Sequence, residues 1–223
     1  KYDSVFCVNQ GPREKRLEDL LTAVRTIYAS TMSERALQYR ARRGILDRDE
    51  QMGLLVQRVS GFRQGRLFFP HVAGVGLSFN PYVWSEQIDP SAGMVRLVLG
   101  LGTRAVDRSD DDYTRVVSLS DPERRPESNF DSMRQYAQRR IDVLDLEDGQ
   151  LTTRQFAEVV QQSMDLPLQM VATVDDELEQ RARERGMRDV FPWVLTFEQL
   201  LRDTPFVADI RDMPQPFPEA YDS

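Results

Sequence analysis

The segment LVLGLGTRAVDRSDDDY, Leu97 to Tyr113, gathers residue types that hold anions. An apolar run breaks at Gly100-Leu101-Gly102, and Arg104, Asp107, Arg108 and the aspartates 110, 111 and 112 follow. A glycine-rich turn at a strand end lets backbone N–H groups approach an anion, and neighbouring arginines add bidentate charge-assisted bonds to phosphate oxygens. Gly100 and Gly102 suit the first task, Arg104 and Arg108 the second. The same residues also serve an ordinary polar turn in which the arginines pair with Asp107 and the later aspartates. Consecutive aspartates on one turn rarely converge on a single Mg²⁺, so that run reads as a solvated loop.

Other reactive side chains are sparse. His71, the only histidine, lies in FFPHVAG without a neighbouring acid or nucleophile and reads as a structural residue. Cys7, the only cysteine, has no local cation to activate it and reads as a buried, inert thiol. Gln57 in LLVQRVSG takes an inward strand position, where either a purine or a loop can satisfy its amide. Only Lys1 and Lys15 are lysines, so a phosphate site built on a buried ammonium has almost no material here.

The 223 residues are 40% apolar, enough for a real core, and carry a net charge of -7. That balance argues against tracking a nucleic-acid backbone or an anionic membrane. No apolar run approaches the roughly 20 residues a membrane helix needs. The expected setting is cytoplasmic. The opening KYDSVF and the closing PEAYDS read as the cut edges of a longer chain.

The elements that must position these residues are α and β in succession. Pro12 opens a helix with Leu17, Leu20, Leu21, Val24, Ile27 and Tyr28 on one stripe, expected to be buried. A second helix is expected over TMSERALQYRARRG, capped by Ser30 or Thr31, with Glu34 completing a capping-box pattern from Thr31. Four or five mostly antiparallel strands, covered by those helices, are expected from Met52 to Asp121. Beyond Pro122, SMRQYAQRR, TTRQFAEVVQQSM, DDELEQRARERG and TFEQLLRDTPFVADIRDM read as helices, with strands at RIDVLDL and LQMVATV. The expectation is an α+β chain of two parts, residues 1–121 and a helix-rich region, 128–223, divided near Asp121 to Ser128.

Five pieces in order, KYDSVFCVNQG, AVRTIYASTMSERALQYRARRGI, GLLVQRV, GVGLSFNP and LGLGTRAVDRSDDDY, resemble the nucleotide-binding domain of the phosphoenolpyruvate synthase and pyruvate phosphate dikinase family. Lys1 to Phe6 follow that family's Phe-Ala-Gly turn, and Ser30 to Arg40 match its Ser…Arg-Ala…Tyr-Arg helix. Gln57 matches the Gln of its Val-Gln strand, Gly74 to Pro81 its Gly-Val-x-Phe-Ser/Thr-x-Asn-Pro strand, and Gly100 to Gly102 its Gly-Leu-Gly. The resemblance implies an ATP-grasp-like lobe in which ATP, with Mg²⁺ in the full-length protein, phosphorylates a histidine on a separate swivelling domain. A further domain of the same chain then handles pyruvate or another acceptor. Gln57, Gly100, Gly102, Arg104 and Arg108 are the implied nucleotide-side residues.

Two departures stand out. Typical members carry an acidic residue four positions before the first of these glycines and another just after the second, where this chain has Arg96 and Thr103. The family's phosphate-binding Lys and Arg are expected before residue 1, and its Asp-Ile-Glu and Gln-x-Arg strands after Tyr221. The 223 residues alone are therefore expected to be inactive. The competing reading is a module that has lost the chemistry and acts in binding or regulation.

Overall fold

The computed structural model describes residues 4–49, 51–106, 111–163, 165–186 and 191–203. It is α+β, with antiparallel sheets and several helices. In chain order the elements are α1 (Arg13–Ser30), α2 (Glu34–Arg42), β1 (Phe62–Gln64), β2 (Leu67–Phe69), β3 (Ala73–Leu77), β4 (Met94–Val98), α3 (Thr103–Val106), β5 (Arg115–Ser118) and α4 (Phe130–Gln135). There follow β6 (Arg140–Asp145), β7 (Gln150–Gln155), α5 (Phe156–Gln162), α6 (Leu168–Val171), β8 (Ala172–Val174), α7 (Asp176–Glu184), β9 (Trp193–Leu195) and α8 (Glu198–Asp203).

The chain divides into two compact units. The first holds the residues up to Ser60 together with Leu144–Thr152, and the second holds Gly61–Val143 and the residues from Thr153 on. Asp121 to Ser128 lies within the second unit.

In the first unit, Pro12 stands at the N-cap position of α1, where its missing N–H costs nothing. The expected buried stripe does not form: Leu17, Leu20, Leu21 and Tyr28 are exposed, and Ala23 is the buried residue of this helix. Because α1 runs on to Ser30 with Thr31 as its C-cap, the second helix starts later than the capping-box pattern suggests. Ser33 caps it, its hydroxyl accepting the Ala36 N–H. Cys7 is exposed, not buried in a strand. The MGLLVQRVSG run forms no strand, and Leu55 and Val56 are 80% and 71% exposed. β-Propensity alone gives a strand nothing to pair with, so the expected strand position of Gln57 is not realised.

The second unit holds a three-stranded antiparallel sheet in the order β3-β4-β5, with Ala73 opposite Val98 and Leu97 opposite Arg115. A second sheet runs β1-β2-β6-β7, and β8 pairs with β9. One core joins Leu67, Phe69, Val95, Leu97, Leu99, Val117, Ile141, Val143, Val159, Val171 and Phe197. Strand β4 is apolar at every position but Arg96, which suits a strand covered on both faces.

Among the described residues of the later region, some elements differ from those expected. Gln150–Gln155 is a strand where TTRQ was expected to open a helix, and Leu168–Val171 is a helical turn before the short β8. The strand at Trp193–Leu195 was not expected. Residues from Thr204 lie outside the described ones. Among the described residues no helix is long and apolar enough to cross a membrane.

Candidate functional site

Strand β4 delivers Leu99 to the protein interior, and the chain must then turn sharply. Gly100 does this at φ +94°, a conformation that side chains rarely adopt. A Cβ on Gly100 would lie 2.4 Å from Ile141 Cγ2 and 2.7 Å from the Asp142 carbonyl oxygen, so the turn presses directly on β6. The Gly100 N–H donates to the Pro70 carbonyl (3.2 Å) and the Leu101 N–H to the Asp142 carbonyl (2.8 Å). Gly102 sits more openly: a Cβ there would meet Ala73 Cβ at 3.5 Å, an ordinary contact.

The short helix α3 begins at once, and its first residues point back to β6. Thr103 Oγ1 donates to Asp142 Oδ2 at 2.7 Å, and Arg104 Nε donates to Asp142 Oδ1 at 2.9 Å. From β7, Thr153 Oγ1 donates to Asp142 Oδ1 at 2.7 Å. Arg104 Nη1 also lies 3.4 Å from Asp111 Oδ1 and 3.8 Å from Asp112 Oδ2. Burial opposes the Arg104 charge, but the Asp142 hydrogen bond and the charges of Asp142, Asp111 and Asp112 outweigh it and hold its pKa above the ordinary arginine value.

The aspartates are occupied in turn. Asp112 accepts the Arg139 and Arg140 N–H groups at 2.8 and 2.7 Å, and Asp111 pairs with the Arg140 guanidinium. The pairing expected for a polar turn is thus present at Asp111 and Asp112, while Asp107, Arg108 and Asp110 lie outside the described residues. Among the described residues no group of three His, Cys, Asp or Glu side chains is arranged to hold a metal ion.

Gly100, Gly102 and Arg104 therefore share one turn at the end of β4. Gln57 is an exposed residue of the first unit, outside any strand. The two departures from the resembled pattern both make contacts around α3: Thr103, its first residue, binds Asp142 on β6, and Arg96 Nη1 donates to the Ala105 carbonyl at 3.4 Å. His71 stacks on Phe62 with ring centroids 4.3 Å apart, and burial pushes its pKa down.

Asp142 is the residue that sequence reading missed. Its signal was present in RIDVLDL, where a carboxylate interrupts the apolar run between Ile141 and Val143. Such a residue is buried only if partners wait for it, and those partners lie 38 and 39 positions upstream.

Residues 1–185 match the family model described as the pyruvate phosphate dikinase, AMP/ATP-binding domain. No curated protein and no solved structure matches the chain significantly.

Proposed function

Because the chain belongs to the pyruvate phosphate dikinase AMP/ATP-binding domain family, we propose that it supplies the ATP-binding part of a dikinase-like phosphotransferase that phosphorylates a histidine on a swivelling domain. The observation that carries this reading is the match over residues 1–185, which takes in Gln57 and the whole Gly100-to-Arg108 segment. An ATP-grasp-like enclosure of the nucleotide, a cytoplasmic setting consistent with a single cysteine, and a pyruvate-type acceptor domain in the same protein belong to the same proposal.

Phosphoryl transfer is mainly positioning and charge neutralisation, so the roles follow from where each residue can be held. In this reading Gly102 is the point of closest backbone approach to the phosphates, since its surroundings are open. Gly100 gives the turn its direction. Arg104 borders the phosphates from a fixed position, its Nε held by Asp142. The aspartates around this turn do not suit Mg²⁺, because Asp111, Asp112 and Asp142 already serve arginines, hydroxyls and backbone amides. Any Mg²⁺ accompanying the nucleotide is left to other ligands, and no step is assigned to it.

The test is calorimetric titration of ATP into the full-length protein and into the 223-residue chain, with a phosphoenzyme assay that includes the swivelling domain. The expected result is ATP binding and an acid-labile phosphoenzyme in the full-length protein, and weaker binding by the shorter chain. A folded full-length protein that ignores ATP would overturn the reading. ATP binding without phosphoenzyme would leave a binding module in place of a kinase.

A further inference from the structure

We propose that Asp142 is a positioning residue of the nucleotide site, one that presets the Gly100–Gly102 turn and the aim of Arg104 before ATP arrives. This rests on the reading that the turn faces ATP.

Asp142 sits between Ile141 and Val143, both fully buried, and is itself only 8% exposed. An ionised carboxylate in such a strand is costly unless its oxygens are well occupied. Here Oδ1 accepts from Arg104 Nε and Thr153 Oγ1, and Oδ2 accepts from Thr103 Oγ1. Its carbonyl accepts the Leu101 N–H, in the space that the missing Gly100 side chain leaves open. One residue of β6 therefore holds the turn by its amide, its hydroxyl and its guanidinium at once.

The chemical consequence concerns orientation. A guanidinium gripped at Nε has its plane fixed, which a lysine-like point charge would not have. A turn whose Leu101 amide is already committed cannot rotate its peptide units freely, so the Gly102 region meets a phosphate without first being ordered. Binding then loses less conformational entropy. Thr103, uncharged itself, is tied to a carboxylate that arrives from another strand.

The experiment measures ATP Kd, melting temperature and amide exchange at residues 100–103 in the full-length protein for the wild type, Asp142→Asn, Arg104→Gln and the double variant. Asp142→Asn is expected to weaken ATP binding by roughly tenfold or more and to speed exchange at Leu101. The double variant should bind no worse than the poorer single one, the non-additivity expected of residues acting as a unit. Asp145→Asn is the control: its carboxylate accepts the Glu147 and Asp148 N–H groups, so it should lower the melting temperature and leave Kd unchanged. Unchanged or tighter ATP binding by folded Asp142→Asn overturns the proposal and leaves the ATP reading standing. If Asp142→Asn does not fold, Thr103→Val, which severs one of the same bonds without touching a charge, takes its place, and unchanged Kd again overturns the proposal. A wild type that binds no ATP removes the reading and this inference together.

Discussion

Gln138 pairs with Leu99 as a neighbouring strand would. Its Oε1 accepts the Leu99 N–H at 2.8 Å and its Nε2 donates to the Leu99 carbonyl at 2.9 Å, while Nε2 also reaches the Arg140 carbonyl at 2.7 Å. The side chain is nearly fully buried. It extends the ladder of β4 by one residue, up to the point where Gly100 turns away.

Gln138→Ala should therefore cost about 2–4 kcal/mol, because it strands a buried N–H and a buried carbonyl at once. Gln138→Glu adds a pH signature. Its carboxylate faces two carbonyl oxygens, which raises its folded-state pKa above the unfolded one. The variant's stability should then be greatest at acid pH and fall as pH rises through the folded pKa. Urea melts at pH 4 and pH 7, referred to the wild type, check both the loss and its direction.

The two glycines of the turn should separate stability from binding. Gly100→Ala forces a Cβ into Ile141 and the β6 backbone at positive φ, and should cost about 2 kcal/mol or more. Gly102→Ala meets only ordinary contacts and should melt within about 1 kcal/mol of the wild type. If Gly102 is the point of closest approach to phosphate, the same substitution should still weaken ATP binding. A Gly102→Ala protein that melts and binds like the wild type would remove that role.

His71 should prove dispensable for phosphoryl transfer. Burial lowers its pKa from 6.5, so its contribution to stability is full above that value and is lost as pH falls through the folded-state pKa. His71→Phe keeps a ring against Phe62 and removes the proton, and should flatten the stability profile on the acid side. Thermal melts between pH 5 and pH 7.5 measure this. A folded His71→Ala full-length protein that forms no phosphoenzyme would contradict the assignment.

Arg115 is buried beside Glu127, 3.8 Å away, and next to Arg125, which pairs with Glu198 at 2.6 Å. Burial and the Arg125 charge push the Arg115 pKa down to about 10, against the pull of Glu127 and Glu198. Glu127→Gln should cost about 3 kcal/mol, since it leaves a buried guanidinium poorly balanced. Arg115→Met combined with Glu127→Gln should recover much of that loss. A double-mutant cycle by chemical denaturation reads the difference.

What was legible in the sequence tracks how local its cause is. The β4 run ending at Gly100 and the α+β succession could be read because glycine and apolar runs act on their immediate neighbours. Asp142 could not be placed, because Thr103 and Arg104 reach it from far along the chain. The helical spacing of Leu17, Leu20 and Leu21 predicts a buried stripe that α1 does not have, because spacing specifies a face and not a partner. Leu21→Glu should accordingly change stability by less than about 0.5 kcal/mol, whereas a large residue at the buried Ala23 should cost more. Melting both variants distinguishes a bare face from a covered one.

The hairpin of β6 and β7 has its tip, Leu144–Thr152, in the first compact unit and its stem in the second. During translation the residues up to Ser60 leave the ribosome long before that tip exists. At about 5–20 residues per second, the early segment spends seconds lacking a piece of its own unit. A gene split after Ser60 would thus yield two polypeptides, neither carrying the whole of the first unit.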